Sequence, residues 1–389
     1  MAPRPFQIKV PEEALRDLYR RLDATIWPDE GTGAGWTHGT SKPYLKELAH
    51  YWRHEFDWRA VESRLNSFSH FIADVQGLGI HFIHEKGHGP NPVPLIISHG
   101  WPSSFAEMQK IIPMLTDPAG HGGHADDAFD VVVPSLPGFI FSETSPEGGM
   151  HLARMADISD ELMTALGYQQ YAAQGGDIGS GVTAALGLRH ADHVIGVHVT
   201  SAALVTPWLD ESTPPLSPAE SAYLEGRRNW MSSEGAYYML QSTKPQTLSF
   251  GLTDSPVGLA AWIVEKFRAW SDCHGDIESR FTKDELLTNI SLYWFTRSIG
   301  SANRFYYENR TNPLALGKDE RIEVRTGLSV FPADISLPPR EWAERSFRLE
   351  HYQNMPRGGH FNAMEEPELL VEEMRSLFRA DRTSLRHAV

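Results

Sequence analysis

Between Val93 and Ala202 the chain alternates strand-like and helix-like segments, and this constrains the fold more than any other feature. V-P-L-I-I-S-H-G is a buried strand ending in a turn. D-V-V-V-P-S-L-P-G-F, from Asp130, is another, and V-I-G-V-H-V-T-S-A a third. Ala153 to Leu166 reads as a helix, and a second helix runs to about Arg189. Strands that alternate with helices form a parallel, wound sheet. The pattern breaks between about Ala203 and Lys318, a helical stretch rich in aromatics that include Trp230, Tyr237, Trp270 and Tyr306. It resumes with the strand I-E-V-R-T-G-L-S-V-F and closes with the helix E-P-E-L-L-V-E-E-M-R-S-L-F. This reads as an α/β sheet interrupted by a helical cap over the strand C-termini. The expected division is an N-terminal segment at 1–90, a core at 91–203 and 319–389, and a cap at 204–318.

In the N-terminal segment, Pro11 can open a helix with Glu12 and Glu13 in its first turn and Arg20 and Arg21 near its end. Leu15, Leu18 and Leu22 share one face of it. G-T-G-A-G-W at Gly31 to Trp36 is a loop and lacks the spacing of a dinucleotide fingerprint. A second helix is expected around Tyr44 to His54, then two strands, F-S-H-F-I-A-D-V and I-H-F-I-H, joined by Gly77 and Gly79. The formal net charge of -15 argues against nucleic acid as a partner, because phosphate binding needs a basic face. Cys273 is the one cysteine, so no intrachain disulfide can form, which fits a cytoplasmic protein. No apolar run approaches the ~18 residues of a membrane span, and no secretory leader is evident.

Q-G-G-D-I-G-S, Gln174 to Ser180, carries the chemistry. Its core, G-x-D-x-G, has the form of a nucleophile elbow with aspartate in place of serine. An elbow sets its central side chain on a sharp strand-to-helix turn, where Gly175, Gly176 and Gly179 relieve crowding. Asp177 would be ionised there and aimed into a pocket, or it would simply cap the next helix. An α/β-hydrolase runs nucleophile, acid, histidine in chain order. Asp334, in V-F-P-A-D, and His360, in R-G-G-H-F, stand in that order, each after a strand. Taken singly, Asp334 could be a turn former and His360 a loop histidine. S-H-G-W-P-S-S, Ser98 to Ser104, offers an oxyanion loop in which the backbone N–H of Trp101 works with that of Ile178.

These pieces together resemble the microsomal-type epoxide hydrolases of the α/β-hydrolase superfamily. The resemblance spans essentially the whole chain. It rests on R-L-D-A-T-I-W-P-D-E, Y-L-K-E-L-A-H-Y-W-R, H-G-W-P, G-G-D-I-G-S, Q-S-T-K-P-Q-T, D-S-P-V-G-L-A-A-W-I-V-E-K-F, R-F-Y-Y-E-N and R-G-G-H-F. It implies an α/β-hydrolase fold, Asp177 as nucleophile, Asp334 as acid partner and His360 as base. It also implies two cap tyrosines on the epoxide oxygen, Tyr237 and Tyr306; Tyr238 and Tyr307 stand next to them, and the register between neighbours is open. The acid in that family is often Glu, and its mammalian members carry a membrane anchor that this chain is expected to lack. The implied reaction opens an epoxide to a vicinal diol through an ester on Asp177. No cofactor or metal is expected, the substrate should be a small apolar epoxide, and a homodimer is possible. A haloalkane dehalogenase-like hydrolase and an inactive ligand-binding module are the alternatives. The loop G-H-G-G-H-A-D-D, Gly120 to Asp127, could hold a metal but reads as a flexible polar loop.

Overall fold

A computed structural model describes residues 3–379. Its strands are β1 (Arg4–Pro5), β2 (His70–Val75), β3 (Leu78–Glu85), β4 (Val93–Ser98), β5 (Phe129–Pro134), β6 (Tyr171–Gly175), β7 (Val194–Val199), β8 (Ile322–Val330) and β9 (Phe347–Asn354). They form one sheet in the order β1-β2-β3-β5-β4-β6-β7-β8-β9. β1, β2 and β3 pair antiparallel, as do β3 and β5, and every pairing from β5 to β9 is parallel. The apolar runs expected to be buried lie at its centre, where Leu95, Ile96, Val131, Val132, Ala172 and Val197 are inaccessible to solvent.

Several elements differ from the sequence reading for identifiable reasons. The turn between β2 and β3 is Gln76-Gly77, both with positive φ (54° and 75°), the conformation that suits the twist of a two-residue hairpin. Gly79 is not in that turn. It pairs with Asp74 inside β3, and its amide donates to Glu143 Oε2 at 2.8 Å. A third N-terminal helix, Trp58–Leu65, is short but well capped: the Asp57 carboxylate accepts from the amides of Arg59 and Ala60. β9 gives no strand signal in the sequence because F-R-L-E-H-Y-Q-N is polar. It is an edge strand, where charge discourages pairing with another sheet. The helical stretch after β7 starts at Pro218, not near Ala203, since Pro207, Pro214 and Pro215 cannot sustain helix in the intervening segment. Six helices then lie between β7 and β8: Pro218–Ser233, Ala236–Thr243, Pro245–Asp254, Pro256–Ala269, Lys283–Thr296 and Ile299–Thr311. Among the described residues no helix is long and apolar enough to cross a membrane.

The first two N-terminal helices, Glu12–Asp23 and Lys42–His54, brace these inserted helices. Leu15, Leu18 and Leu22 are buried, as their spacing predicts. Tyr51 Oη donates to Asp284 Oδ1 at 2.9 Å, and Arg21 Nη1 donates to the Asp254 carbonyl at 2.7 Å. Trp52 is 1% exposed, and its indole N–H donates to Ser291 Oγ at 3.1 Å. Trp52→Ala removes a buried aromatic from this junction and orphans the serine hydroxyl. A loss of about 3–5 kcal/mol is expected, read as a lowered midpoint in urea denaturation. A midpoint unchanged from wild type would show that the junction contributes nothing to stability.

Candidate active site

β6 ends at Gly175, and the helix Ile178–Arg189 begins three residues later. Asp177 bridges the two with φ +48° and ψ −124°, a conformation that non-glycine residues adopt only under constraint from their surroundings. Its side chain makes no capping bond to the helix that follows, so the capping alternative fails. The turn is tight because small residues let backbones touch. A Cβ on Gly179 would lie 1.9 Å from the Ser98 carbonyl oxygen, and one on Gly100 would lie 2.3 Å from Asp177 Cβ. Ser98 and Gly100 belong to the end of β4 and its loop, so the elbow is pressed against the neighbouring strand.

That loop supplies the first contact to the carboxylate. The Trp101 amide donates to Asp177 Oδ1 at 2.8 Å. His99, two residues earlier, locks the loop: the Leu136 amide donates to its Nε2 at 3.1 Å, while Nδ1 lies 3.0 Å from the Gly100 carbonyl. Its ring is neutral, because burial pushes its pKa down to about 4. Ile178, the other expected oxyanion donor, is the first residue of the helix after Asp177.

The second contact comes from His360, in the loop between β9 and the short helix Asn362–Glu365. Nε2 lies 3.5 Å from Asp177 Oδ2, and Nδ1 lies 2.6 Å from Asp334 Oδ1. Asp334, past the end of β8, reaches the ring despite having one methylene fewer than Glu. The His360 backbone amide donates to the Trp270 carbonyl at 2.8 Å, which ties the loop to the inserted helices. Burial opposes a charge on His360. The carboxylates of Asp334 and Asp177 outweigh it and hold the imidazolium well above the ordinary histidine range.

Tyr237 and Tyr306 close the site from the inserted helices. Their rings stand 6.0 Å apart at 82°. Tyr237 stacks on Trp101 at 5.2 Å and 3°, and Tyr306 meets the same indole edge-on at 5.7 Å. Both hydroxyls are held well above the usual tyrosine range, by burial first, with the Asp177 charge adding to it; they therefore stay protonated donors. Of their neighbours, Tyr307 is 48% exposed, and Tyr238 packs against the edge of Tyr306.

Other groups had no motif to mark them. Glu107 sits beside the site, with the Ser103 hydroxyl donating to its carboxylate. It keeps some exposure along one side, yet enough protein surrounds it that burial pushes its carboxyl up to about 7. Glu365 accepts from the amides of Asp272 and Phe361, and burial raises it to about 7 as well. The spacing G-W-P-S-S-F-A-E was the only available sign of Glu107, and on a surface helix it would mean nothing. The Gly120–Asp127 loop folds into two short 3-10 turns. The described side chains arranged closely enough to share a cation lie elsewhere, at Asp160, His190 and His193. Hydrogen bonds already occupy that cluster: His193 Nδ1 lies 2.7 Å from Asp160, and Tyr171 Oη donates to the same carboxylate.

Comparison with known proteins agrees with this architecture. Residues 3–108 match the family described as Epoxide hydrolase N terminus, and residues 93–248 match the one described as alpha/beta hydrolase fold. The chain is 37% identical to Epoxide hydrolase 1 of Oryctolagus cuniculus, over 95% of this chain and 87% of that protein. It superposes on the structure of Aspergillus niger epoxide hydrolase with a TM-score of 0.86 at 33% identity, covering 98% of this chain and 97% of the other. Juvenile hormone epoxide hydrolase from Bombyx mori also gives a TM-score of 0.86, at 28% identity over 99% of this chain and 96% of that one. The fold is that of the α/β hydrolases.

The paired carboxylates around His360 make a measurable claim. Asp177→Asn removes one of the two negative charges that raise the imidazole, so its pKa should fall. An NMR titration of the His360 ring protons reads this directly. A value unchanged from wild type would mean that the ring does not sense Asp177.

Proposed function

The chain is an enzyme of the epoxide hydrolase family, and on that premise we propose that it opens epoxides in two steps through an ester on Asp177. The observation that carries this reading is the setting of the Asp177 carboxylate. One oxygen is held by the Trp101 amide, the other faces His360, and two buried tyrosines stand over the site.

In the first step Asp177 Oδ attacks an epoxide carbon. A carbon–oxygen bond forms to the carboxylate as the strained ring bond breaks, and Tyr237 or Tyr306 gives its proton to the departing oxygen. A serine nucleophile would leave an ether that water could not readily cleave. Aspartate leaves an ester, whose carbonyl water can attack. In the second step His360 takes one proton of that water while its oxygen adds to the ester carbonyl. The amides of Trp101 and Ile178 are the donors for the resulting oxyanion. As the tetrahedral centre collapses, the imidazolium gives its proton to the departing alkoxide, the diol leaves, and the second water proton, left on the Asp177 carboxyl, returns to the tyrosine.

Electrostatics order the two steps. Before alkylation, the charges of Asp177 and Asp334 favour a protonated His360. Esterification neutralises Asp177 and withdraws one of those charges. The imidazole then loses its proton more readily and becomes competent as a base only when there is an ester to hydrolyse. The aromatic walls, Trp101, Trp270, Trp230 and both tyrosines, suit a small apolar epoxide. No comparable observation favours a dehalogenase or an inert binding module.

Two measurements test the proposal. Tyr237→Phe and Tyr306→Phe should each slow alkylation, by up to ~10²–10³ for loss of an essential donor, whereas Tyr307→Phe should leave the rate near wild type. Damage from Tyr307→Phe, with both inner variants unaffected, would displace the tyrosine assignment. The other is a single turnover in oxygen-18 water with enzyme in excess. The first diol should be unlabelled and the label should enter the peptide containing Asp177. Label in that first diol would mean that water opens the ring directly and that Asp177 is not the nucleophile.

A further inference from the structure

Two cavities meet at Glu107. The inner one, about 10 Å³, is lined by Asp177, His360, Gln174, Ser103 and Glu107. That volume is on the order of what a single water needs. The outer one, about 440 Å³, is walled by Arg64, Lys110, Thr288 and Asn289, and by Ser103 and Glu107 again. Glu107 therefore faces the catalytic histidine's chamber on one side and a solvent-accessible cavity on the other.

Buried residues that carry an unpartnered polar atom line both spaces. Gln174 is 1% exposed, and its Oε1 has no hydrogen-bond partner in the protein. Asn289 is 4% exposed; its Nδ2 donates to the Pro102 carbonyl at 2.7 Å, while its Oδ1 is unpartnered. Leaving such groups unsatisfied is costly, so polar chambers of this kind hold water. The Ser103 hydroxyl, itself buried, orients the Glu107 carboxylate at the boundary.

We propose that the inner cavity is the seat of the hydrolytic water, and that Glu107, oriented by Ser103 and opposite Gln174, positions that water for His360. This deepens the ester mechanism and rests on it. Once the substrate is esterified to Asp177, it fills the space under Tyr237 and Tyr306, so the attacking water has to stand on the other side of the carboxylate. There the water donates one hydrogen to the Glu107 carboxylate and presents the other to His360 Nε2, which takes that proton as the water oxygen bonds to the ester carbonyl. Glu107 neither gains nor loses a proton in the step. It is a positioning residue, and its removal should spare the first half-reaction.

The experiment is rapid-quench mixing of the enzyme with styrene oxide, with intact-protein mass spectrometry following the alkylated enzyme. In Glu107→Gln the alkylation rate should stay within about twofold of wild type. Ester hydrolysis should slow by roughly tenfold or more, the scale of losing a hydrogen bond to a charged group, so that ester accumulates. Hydrolysis within about twofold of wild type, or both half-reactions slowed equally, would overturn the proposal. Ser103→Ala, which frees the carboxylate without changing its charge, should show the same selectivity to a smaller degree, and it decides the matter if the Gln variant does not fold. Failure to detect any adduct on the wild-type enzyme would sink the ester mechanism itself, an outcome distinct from an adduct that both variants clear at the normal rate.

Discussion

The close approach of two backbones, the Gly175–Gly179 turn against Ser98–Gly100, is the constraint on which the site depends. Nothing larger than glycine fits at Gly179, because the Ser98 carbonyl occupies the place of its Cβ. The contact pins the first turn of the helix Ile178–Arg189 to the end of β4, and Asp177 is left at φ +48° with its side chain pushed outward. A carboxylate held this way has already lost its conformational freedom before a substrate arrives, so its orientation costs nothing further at the moment of reaction. The same contact brings the Trp101 amide to Asp177 Oδ1. Backbone strain, the position of the Asp177 carboxylate and its hydrogen bond to the Trp101 amide thus share one cause.

Around that point the protein gathers charge in an apolar setting. Asp177, Asp334, His360, Glu107 and Glu365 lie among Trp101, Trp270, Phe361 and the two tyrosines. Removing carboxylates from water raises their proton affinity unless a partner compensates. Asp334 has the His360 ring and the Ile335 amide. Glu107 and Glu365 are hydrogen-bonded by neutral donors, and burial outweighs the pull of His360 on both and of Arg280 on Glu365, so both sit near neutrality. Burial thus leaves two carboxyls able to hold a proton near neutrality beside the His360 ring.

The inserted helices complete the site, and the N-terminal helices hold them. Tyr237 and Tyr306 stand over the site only while their helices keep station over Trp101. That position is stabilised by Trp52 on Ser291, Tyr51 on Asp284 and the His360 amide on the Trp270 carbonyl. The last of these joins the catalytic loop to the inserted helices, so movement of the helices would reach His360 itself.

Much of this was legible in the chain, because some physical requirements act locally. Buried parallel strands must be apolar throughout, so β4, β5 and β7 stand out as runs. A tight elbow demands small residues at set spacing, so G-G-D-I-G marks Asp177, and chain order then points to Asp334 and His360. What the sequence could not decide were matters of approach between distant segments. β9 is too polar to announce itself and becomes a strand only because β8 offers it an edge. The inner members of the two tyrosine pairs, Tyr237 and Tyr306, are selected by how their helices pack on Trp101, which local pattern cannot register. Nothing in the local pattern marks Glu107, and it is burial, with the charge of Asp177 adding to it, that raises its carboxyl beside His360. Local sequence determines which residues can bear the chemistry, since steric and polarity rules act over a few residues. Tertiary structure decides their proton affinities and partners, since desolvation and charge depend on everything that folds around them.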